Sequence, residues 1–223
     1  MLEIKNLSVC AEGKNILSGV NAELPSGSVC YLLGKNGSGK SSLAFTIAGH
    51  PKYSVTGGEI FLDGESIITL APEERAAKGI FLSLQNVPEI RGVKLSEYLR
   101  SIVNAKIVRE NPSAKPLSPF LARRLLLKES SVLGIPEAFL DRELNVGFSG
   151  GEKRRIELLQ MKLLHPKLVI LDEVDSGLDV DAFRMVADML ASLRSPERTF
   201  LVVTHNFALT EILPPDRVFV MEK

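Results

Sequence analysis

Charge of one sign, cysteine and long apolar runs are all scarce in this sequence. Its 27 basic residues are matched by 27 acidic ones, for a formal net charge of zero over 223 residues. A nucleic-acid binder ordinarily carries a basic footprint, so the balance argues against a nucleic-acid partner. The two cysteines, Cys10 and Cys30, lie far apart in strand-like apolar runs. They offer neither a disulfide framework nor metal-ligand spacing, and buried reduced thiols are the expected state. Runs such as "LVIL" and "FLVV" fall far short of the roughly 20 apolar residues that span a bilayer. The opening "MLEIKNLSVC" carries Glu3 and Lys5 and has no signal-peptide core. A cytoplasmic protein without direct membrane insertion is expected.

What is present is a core. Hydrophobic residues make up 45% of the chain, enough for one large α/β domain or a core with a smaller subdomain. "LEIKNLSV" alternates like a half-buried strand. "SVCYLLG", "KLVILDE", "TFLVVTH" and "DRVFVME" are short apolar runs that end in polar loops. Separated by helical stretches, they predict a mainly parallel sheet covered on both faces. Helices are expected over Lys40–Gly49, Gly151–Leu164 and Asp179–Leu193. Residues 94–142 are rich in Leu, Lys, Arg and Glu, with prolines in "NPSAKPLSP". They read as a helical subdomain inserted into a core formed by 1–93 and 143–223.

"GKNGSGKS", Gly34 to Ser41, follows an apolar run and precedes a helix. It fits the phosphate-loop pattern G-x-x-x-x-G-K-[ST]. Its glycines let backbone N–H groups point inward at phosphate oxygens, and the helix N-terminus adds its dipole. Gly34, Asn36, Gly37, Ser38, Gly39, Lys40, Ser41 and Ser42 form the expected nucleotide cradle. Lys40 is expected to reach the β- and γ-phosphates, and the Ser41 hydroxyl a Mg²⁺ ion.

"LVILDE" supplies the second half of such a site. Ligands of open parallel sheets bind beyond the C-terminal strand ends. Asp172 is therefore expected beside the loop, helping to hold Mg²⁺. Glu173, pointing the other way, is placed to activate a water as general base. His205 follows "TFLVVT", and reads either as a γ-phosphate contact or as a helix-start residue. Gln85 ends "GIFLSLQ", where its amide has Mg²⁺ or the water within reach.

Together these pieces resemble an ATP-binding cassette (ABC) ATPase over nearly the whole chain. The order is the phosphate loop, Gln85 in the Q-loop, "FSGGEKRR" as signature, "LVILDE", "SGLD" as D-loop and His205 as switch histidine. The resemblance implies a P-loop NTPase fold with N-terminal antiparallel strands, and hydrolysis of ATP with Mg²⁺. It also implies a head-to-tail, ATP-dependent homodimer. Ser149, Gly150 and Gly151 then meet the γ-phosphate held by the other copy, and Asp179 links the two sites. Bare N–H groups at a helix mouth suit that role.

Several stretches, including "PEERAAKGIFLSLQ", "VPEIRGVKLSEYL" and "LDEVDSGLDVDA", closely resemble SufC-type ATPases of iron–sulfur cluster assembly. Transporter cassettes more often read "LSGGQ" and "DEPT". This branch implies SufB- and SufD-like scaffold partners, with "NVPEIRGV", Asn86 to Val93, as the candidate docking surface. The alternative is the nucleotide-binding subunit of an ABC membrane transporter. "SVCAEGKNIL" carries no aromatic ring to stack on adenine, and Tyr31 is expected in the core. Relatives continue past "VFVMEK" with a hairpin and a terminal helix.

Overall fold

The computed structural model describes residues 1–174, 176, 178–204 and 207–222. They fall into two compact units, one of residues 1–85, 166–176 and 191–223, the other of residues 86–165 and 177–190.

In chain order, the first 85 residues form β1 (Leu2–Ala11), β2 (Lys14–Leu24), β3 (Val29–Gly34), α1 (Lys40–Ala48), β4 (Tyr53–Leu62), β5 (Glu65–Ser66), α2 (Pro72–Ala77) and β6 (Ile80–Ser83). Then come β7 (Ile90–Lys94), α3 (Leu95–Glu110), α4 (Pro119–Val132), a 3-10 turn at Glu137–Asp141, β8 (Glu143–Leu144) and α5 (Gly150–Leu164). β9 (Leu168–Asp172), α6 (Val180–Ser192), β10 (Thr199–Val203), α7 (Leu209–Ile212) and β11 (Arg217–Met221) follow.

The first unit holds two sheets. One is antiparallel, in the order β2-β1-β4-β5. In β1 the inward set changes phase: Leu2 and Ile4 are buried, then Leu7, Val9 and Ala11. The slip falls at Asn6, whose φ is 49° and beside which both pairings shift register. A strand without this bulge would carry Leu7 to the solvent face. The other sheet, β11-β3-β10-β9-β6, is parallel at every pairing. All residues of β9 and β10 are buried, as expected of strands covered on both faces.

Helix α1 contributes Leu43, Ala44 and Ile47 to one core with residues of both sheets, among them Ile4, Ile60, Leu32 and Ile170. The buried Arg75 guanidinium closes the helix's far end. It donates to the carbonyls of Thr46 and Ile47 and to those of Ile68 and Leu70. These carbonyls include ones the helix's own ladder cannot use. Tyr31 is in the core, as expected, and donates its hydroxyl to Leu213 O. Cys30 is fully buried, but Cys10 is only half-buried, a departure from the expected pair of buried thiols.

In the second unit, α3 buries Leu95, Leu99 and Val103, and α4 buries Ala122 and Leu126. The spacing of four places each set on one helix face. Half of the stretch Asn86–Val93 is strand: β7 pairs antiparallel with β8.

Candidate nucleotide site

The parallel strands end at one edge of their sheet, at Gly34, Asp172, Val203 and Ser83. Beyond β3 the chain turns through residues 35–39 and enters α1. Gly34 and Gly39 have φ of 150° and 100°. A Cβ on Gly34 would lie 2.6 Å from Met221 O, and one on Gly39 2.6 Å from Leu17 Cδ2. At Gly34 fixed backbone excludes a side chain, and at Gly39 the φ of 100° strains any residue with a Cβ.

Lys40 is 6% exposed, and its ammonium donates to Gly34 O at 2.8 Å and Lys35 O at 3.1 Å. The positive charge therefore sits within the curl of the loop. Ser38 Oγ is buried with no hydrogen-bond partner. Such a hydroxyl is unfavourable by about 1–3 kcal/mol until something bonds to it. At Gly37 a Cβ would meet nothing within 4 Å. An inward cation, a buried hydroxyl in need of a partner and open space beside them fit a phosphate group. Asn36 is exposed at the loop's tip, and Ser42 lies in the first turn of α1, where its carbonyl accepts from Thr46 Oγ1 at 2.7 Å.

Ser41 Oγ donates to Asp172 Oδ1 across 3.0 Å. Neighbouring ligands of an octahedral cation with bonds of about 2.1 Å lie about 3 Å apart, so the pair has the spacing of two Mg²⁺ ligands. Among the described residues no cluster of three His, Cys, Asp or Glu side chains stands ready for a metal. Mg²⁺ needs none where one carboxylate, phosphate oxygens and water share the coordination.

Asp172 closes β9, and the next residue turns sharply. Glu173 has φ 49°, yet its N–H still donates to Val203 O at 2.8 Å. Its carboxylate accepts from Gln85 Nε2 at 2.6 Å. The amide nitrogen of Gln85 is thus turned to Glu173, which leaves the amide oxygen as the end suited to a cation. Both residues follow strand ends, as their sequence context predicts, but nothing in that context points to this bond. His205 lies outside the described residues.

The second unit contains the FSGGEKRR loop. Ser149 is the N-cap of α5: its Oγ accepts from Glu152 N–H at 3.3 Å, and Glu152 Oε2 accepts from Ser149 N–H at 2.7 Å. This S-x-x-E box leaves the Ser149 hydroxyl hydrogen for a further acceptor. Gly150 and Gly151 occupy N1 and N2, whose N–H groups an α-helix's ladder does not use. A Cβ on Gly151 would come 3.3 Å from Ala182 Cβ, at the start of α6. Asp179 caps that helix, its Oδ1 accepting from Ala182 N–H at 2.7 Å.

The same loop is joined to the stretch Asn86–Val93. Asn145, 3% exposed and with φ 61°, donates from Nδ2 to Pro88 O at 2.9 Å. Lys153 pairs with Glu89 at 3.0 Å and holds its carboxyl below the usual range. These contacts were not foreseen. The only local hint is Asn145 itself, since asparagine tolerates the left-handed region.

Comparison with known proteins gives the family and the fold. Residues 17–176 match the ABC transporter family. The chain is 46% identical over 221 residues to the probable ATP-dependent transporter slr0075 of Synechocystis, covering 99% of this chain and 86% of the relative. It is 44% identical over 221 residues to the probable ATP-dependent transporter SufC of Escherichia coli, covering 99% and 88%. Among solved structures, the dimeric post-hydrolysis state of the ATP-binding cassette MJ0796, bound to ADP and Pi, superposes with a TM-score of 0.82 at 20% identity. That match covers 100% of this chain and 94% of the other.

Proposed function

The chain belongs to the ABC transporter family, on its SufC-type branch, and from that premise we propose that it is the ATPase of an iron–sulfur cluster assembly machine. It is an ABC-type ATPase that uses ATP with Mg²⁺. The finer reading is that each round of ATP binding pairs two copies head to tail, and that hydrolysis separates them and moves attached scaffold proteins.

The observation that carries the hydrolytic part of this reading is the Gln85–Glu173 bond beside the Ser41–Asp172 pair. A base held by an amide, next to a cation site and a phosphate loop, is a hydrolysis site. In the proposed mechanism residues 34–42 hold the phosphates, with Lys40 moving from the loop carbonyls to their oxygens. Ser41 and Asp172 would hold Mg²⁺, whose charge would offset that of the phosphates. Glu173 takes a proton from the attacking water, and Gln85 keeps the carboxylate aimed. As water oxygen bonds to the γ-phosphorus, the bond to the ADP oxygen breaks. His205 contacts the γ-phosphate.

Ser149, Gly150 and Gly151 of one copy meet the γ-phosphate held by the other, and Asp179 links the two sites. Residues 94–142 form the helical subdomain of a core made from 1–93 and 143–223. SufB- and SufD-like scaffold proteins dock on Asn86–Val93. The contacts from Asn145 and Lys153 to that stretch support this, because they join the docking surface to the signature loop. Among the described residues no helix is long and apolar enough to cross a membrane. The reading places the protein in the cytoplasm.

Affinity capture of the tagged protein from its native cells, with mass spectrometry of what accompanies it, tests the assignment. Scaffold proteins with cluster-building cysteines are expected. Integral membrane permeases in their place would leave the site chemistry intact and move the protein to a transporter, as the names of its relatives suggest.

A further inference from the structure

A stack of three side chains holds the loop that leads into α5. Phe148, 6% exposed, lies against Phe139 with ring centroids 4.6 Å apart and planes 11° from parallel. The Arg142 guanidinium carbon is 4.2 Å from the Phe148 centroid and 5.0 Å from that of Phe139. The same guanidinium donates from Nη2 to Val146 O at 3.2 Å and Gly147 O at 3.4 Å. One cation therefore rests on the ring just before Ser149 and ties down the two carbonyls just before that ring.

The residue preceding Arg142 is itself anchored. Asp141 receives both terminal nitrogens of Arg123, from α4, at 3.0 Å each. Arg142 thus leaves a fixed point and reaches over to the loop. It is exposed and takes no part in the buried set of its unit, which is made by residues such as Leu95, Leu99, Leu126 and Leu140. Its contacts serve the loop's shape rather than the core.

Ordering a free backbone segment is unfavourable because its conformational freedom is lost. A loop that is already ordered does not lose that free energy when a ligand arrives. We propose that Arg142, with Phe148 as its platform, is a positioning residue for phosphate capture: it holds the backbone of 146–149 so that the Ser149 hydroxyl and the N–H groups of Gly150 and Gly151 are pre-set for the γ-phosphate on a second copy. The proposal rests on the paired-cassette reading above. Its consequence is specific. Loss of Arg142 weakens pairing, and leaves each copy's own nucleotide affinity and the turnover of an assembled pair unchanged.

The test starts from Glu173→Gln, in which ATP-driven pairing accumulates, and adds Arg142→Gln or Arg142→Lys to the full chain. Sedimentation with ATP and Mg²⁺ gives the dimer dissociation constant, fluorescent ADP reports monomer affinity, and thermal melting reports folding. A cation–π contact at an exposed site corresponds to about fivefold in binding. A pair uses the loop twice, so Arg142→Gln is expected to raise the dimer dissociation constant about 25-fold. Arg142→Lys recovers only part, because an ammonium lacks the planar fork that stacks and spans two carbonyls. Monomer affinity and melting stay at the parent values. In the Glu173 background, KM for ATP rises while kcat at saturating protein and ATP holds.

Pairing at the parent's strength in Arg142→Gln overturns the proposal and leaves the paired reading standing. Loss of melting temperature in step with pairing also overturns it, by making Arg142 a residue that holds the subdomain together. A parent Glu173→Gln that never pairs overturns both.

Discussion

Ser41 and Asp172 meet hydroxyl to carboxylate at 3.0 Å, although they lie 131 positions apart in the chain. The pair stands where a divalent cation and a phosphate would share ligands. Ser41→Ala is expected to lower nucleotide affinity about tenfold or more in the presence of Mg²⁺, the scale on which lost ligand-shell groups weaken a metal site. Affinity in EDTA stays unchanged. Paired titrations with and without Mg²⁺ separate the two quantities. Asp172→Asn moves the same way.

In the proposed mechanism Gln85 acts through the base, by the bond from its Nε2 to Glu173. Gln85→Ala releases the Glu173 carboxylate from its amide partner and is expected to lower kcat about tenfold or more, since a positioned base contributes roughly 10²–10⁴ in rate. Nucleotide affinity measured in EDTA does not change. Gln85→Glu is more informative. An ionised carboxylate at position 85 only accepts and so cannot hold Glu173 as the amide N–H does, and kcat is expected to fall at least as far as in Gln85→Ala.

Arg75 is 4% exposed and serves four backbone carbonyls. Arg75→Met removes the guanidinium from those acceptors, of which Thr46 O keeps a bond from the Gly49 N–H, and is expected to destabilise the protein by about 3 kcal/mol. For a chain of this size that corresponds to a fall of roughly 6–12 °C in melting temperature, read by calorimetry. Arg75→Lys restores little, because one ammonium does not span the four carbonyls.

Burial pushes the Cys30 thiol above its ordinary value. The folded chain thus keeps a proton that the unfolded chain releases near pH ~8.5. The linked stability is complete below that unfolded pKa and is lost as pH rises through the folded one. Cys30→Ala should flatten the decline in stability above pH ~8.5, measured by urea unfolding. Native labelling with a thiol reagent is expected to modify half-buried Cys10 before buried Cys30.

What could be read from the sequence follows from where each signal resides. The phosphate loop was legible because its glycines have local causes, at Gly34 and Gly39, that no other residue satisfies. Strands β9 and β10 were legible because burial on both faces leaves unbroken apolar runs. Strand β7 was not, since Ile90, Arg91 and Gly92 are all exposed and its pairing with β8 alone makes it a strand. "LEIKNLSV" looks like simple alternation, and only the pairings to β2 and β4 disclose the slip at Asn6. Ser149 and Glu152 spell a capping box by spacing alone, and the structure forms it. The Gln85–Glu173 bond joins residues 88 positions apart, so no local pattern encodes it. Arg142 is likewise one arginine among many until the fold sets it on Phe148.

The measurement that bears most directly on the account is the oligomeric state of Glu173→Gln with ATP and Mg²⁺. Removing the base while keeping the shape of its side chain halts hydrolysis after phosphate capture. Analytical ultracentrifugation should then show a dimer that falls apart when Mg²⁺ is chelated. A chain that remains monomeric at saturating ATP and Mg²⁺ would contradict the claim that its signature loop serves the nucleotide of a second copy.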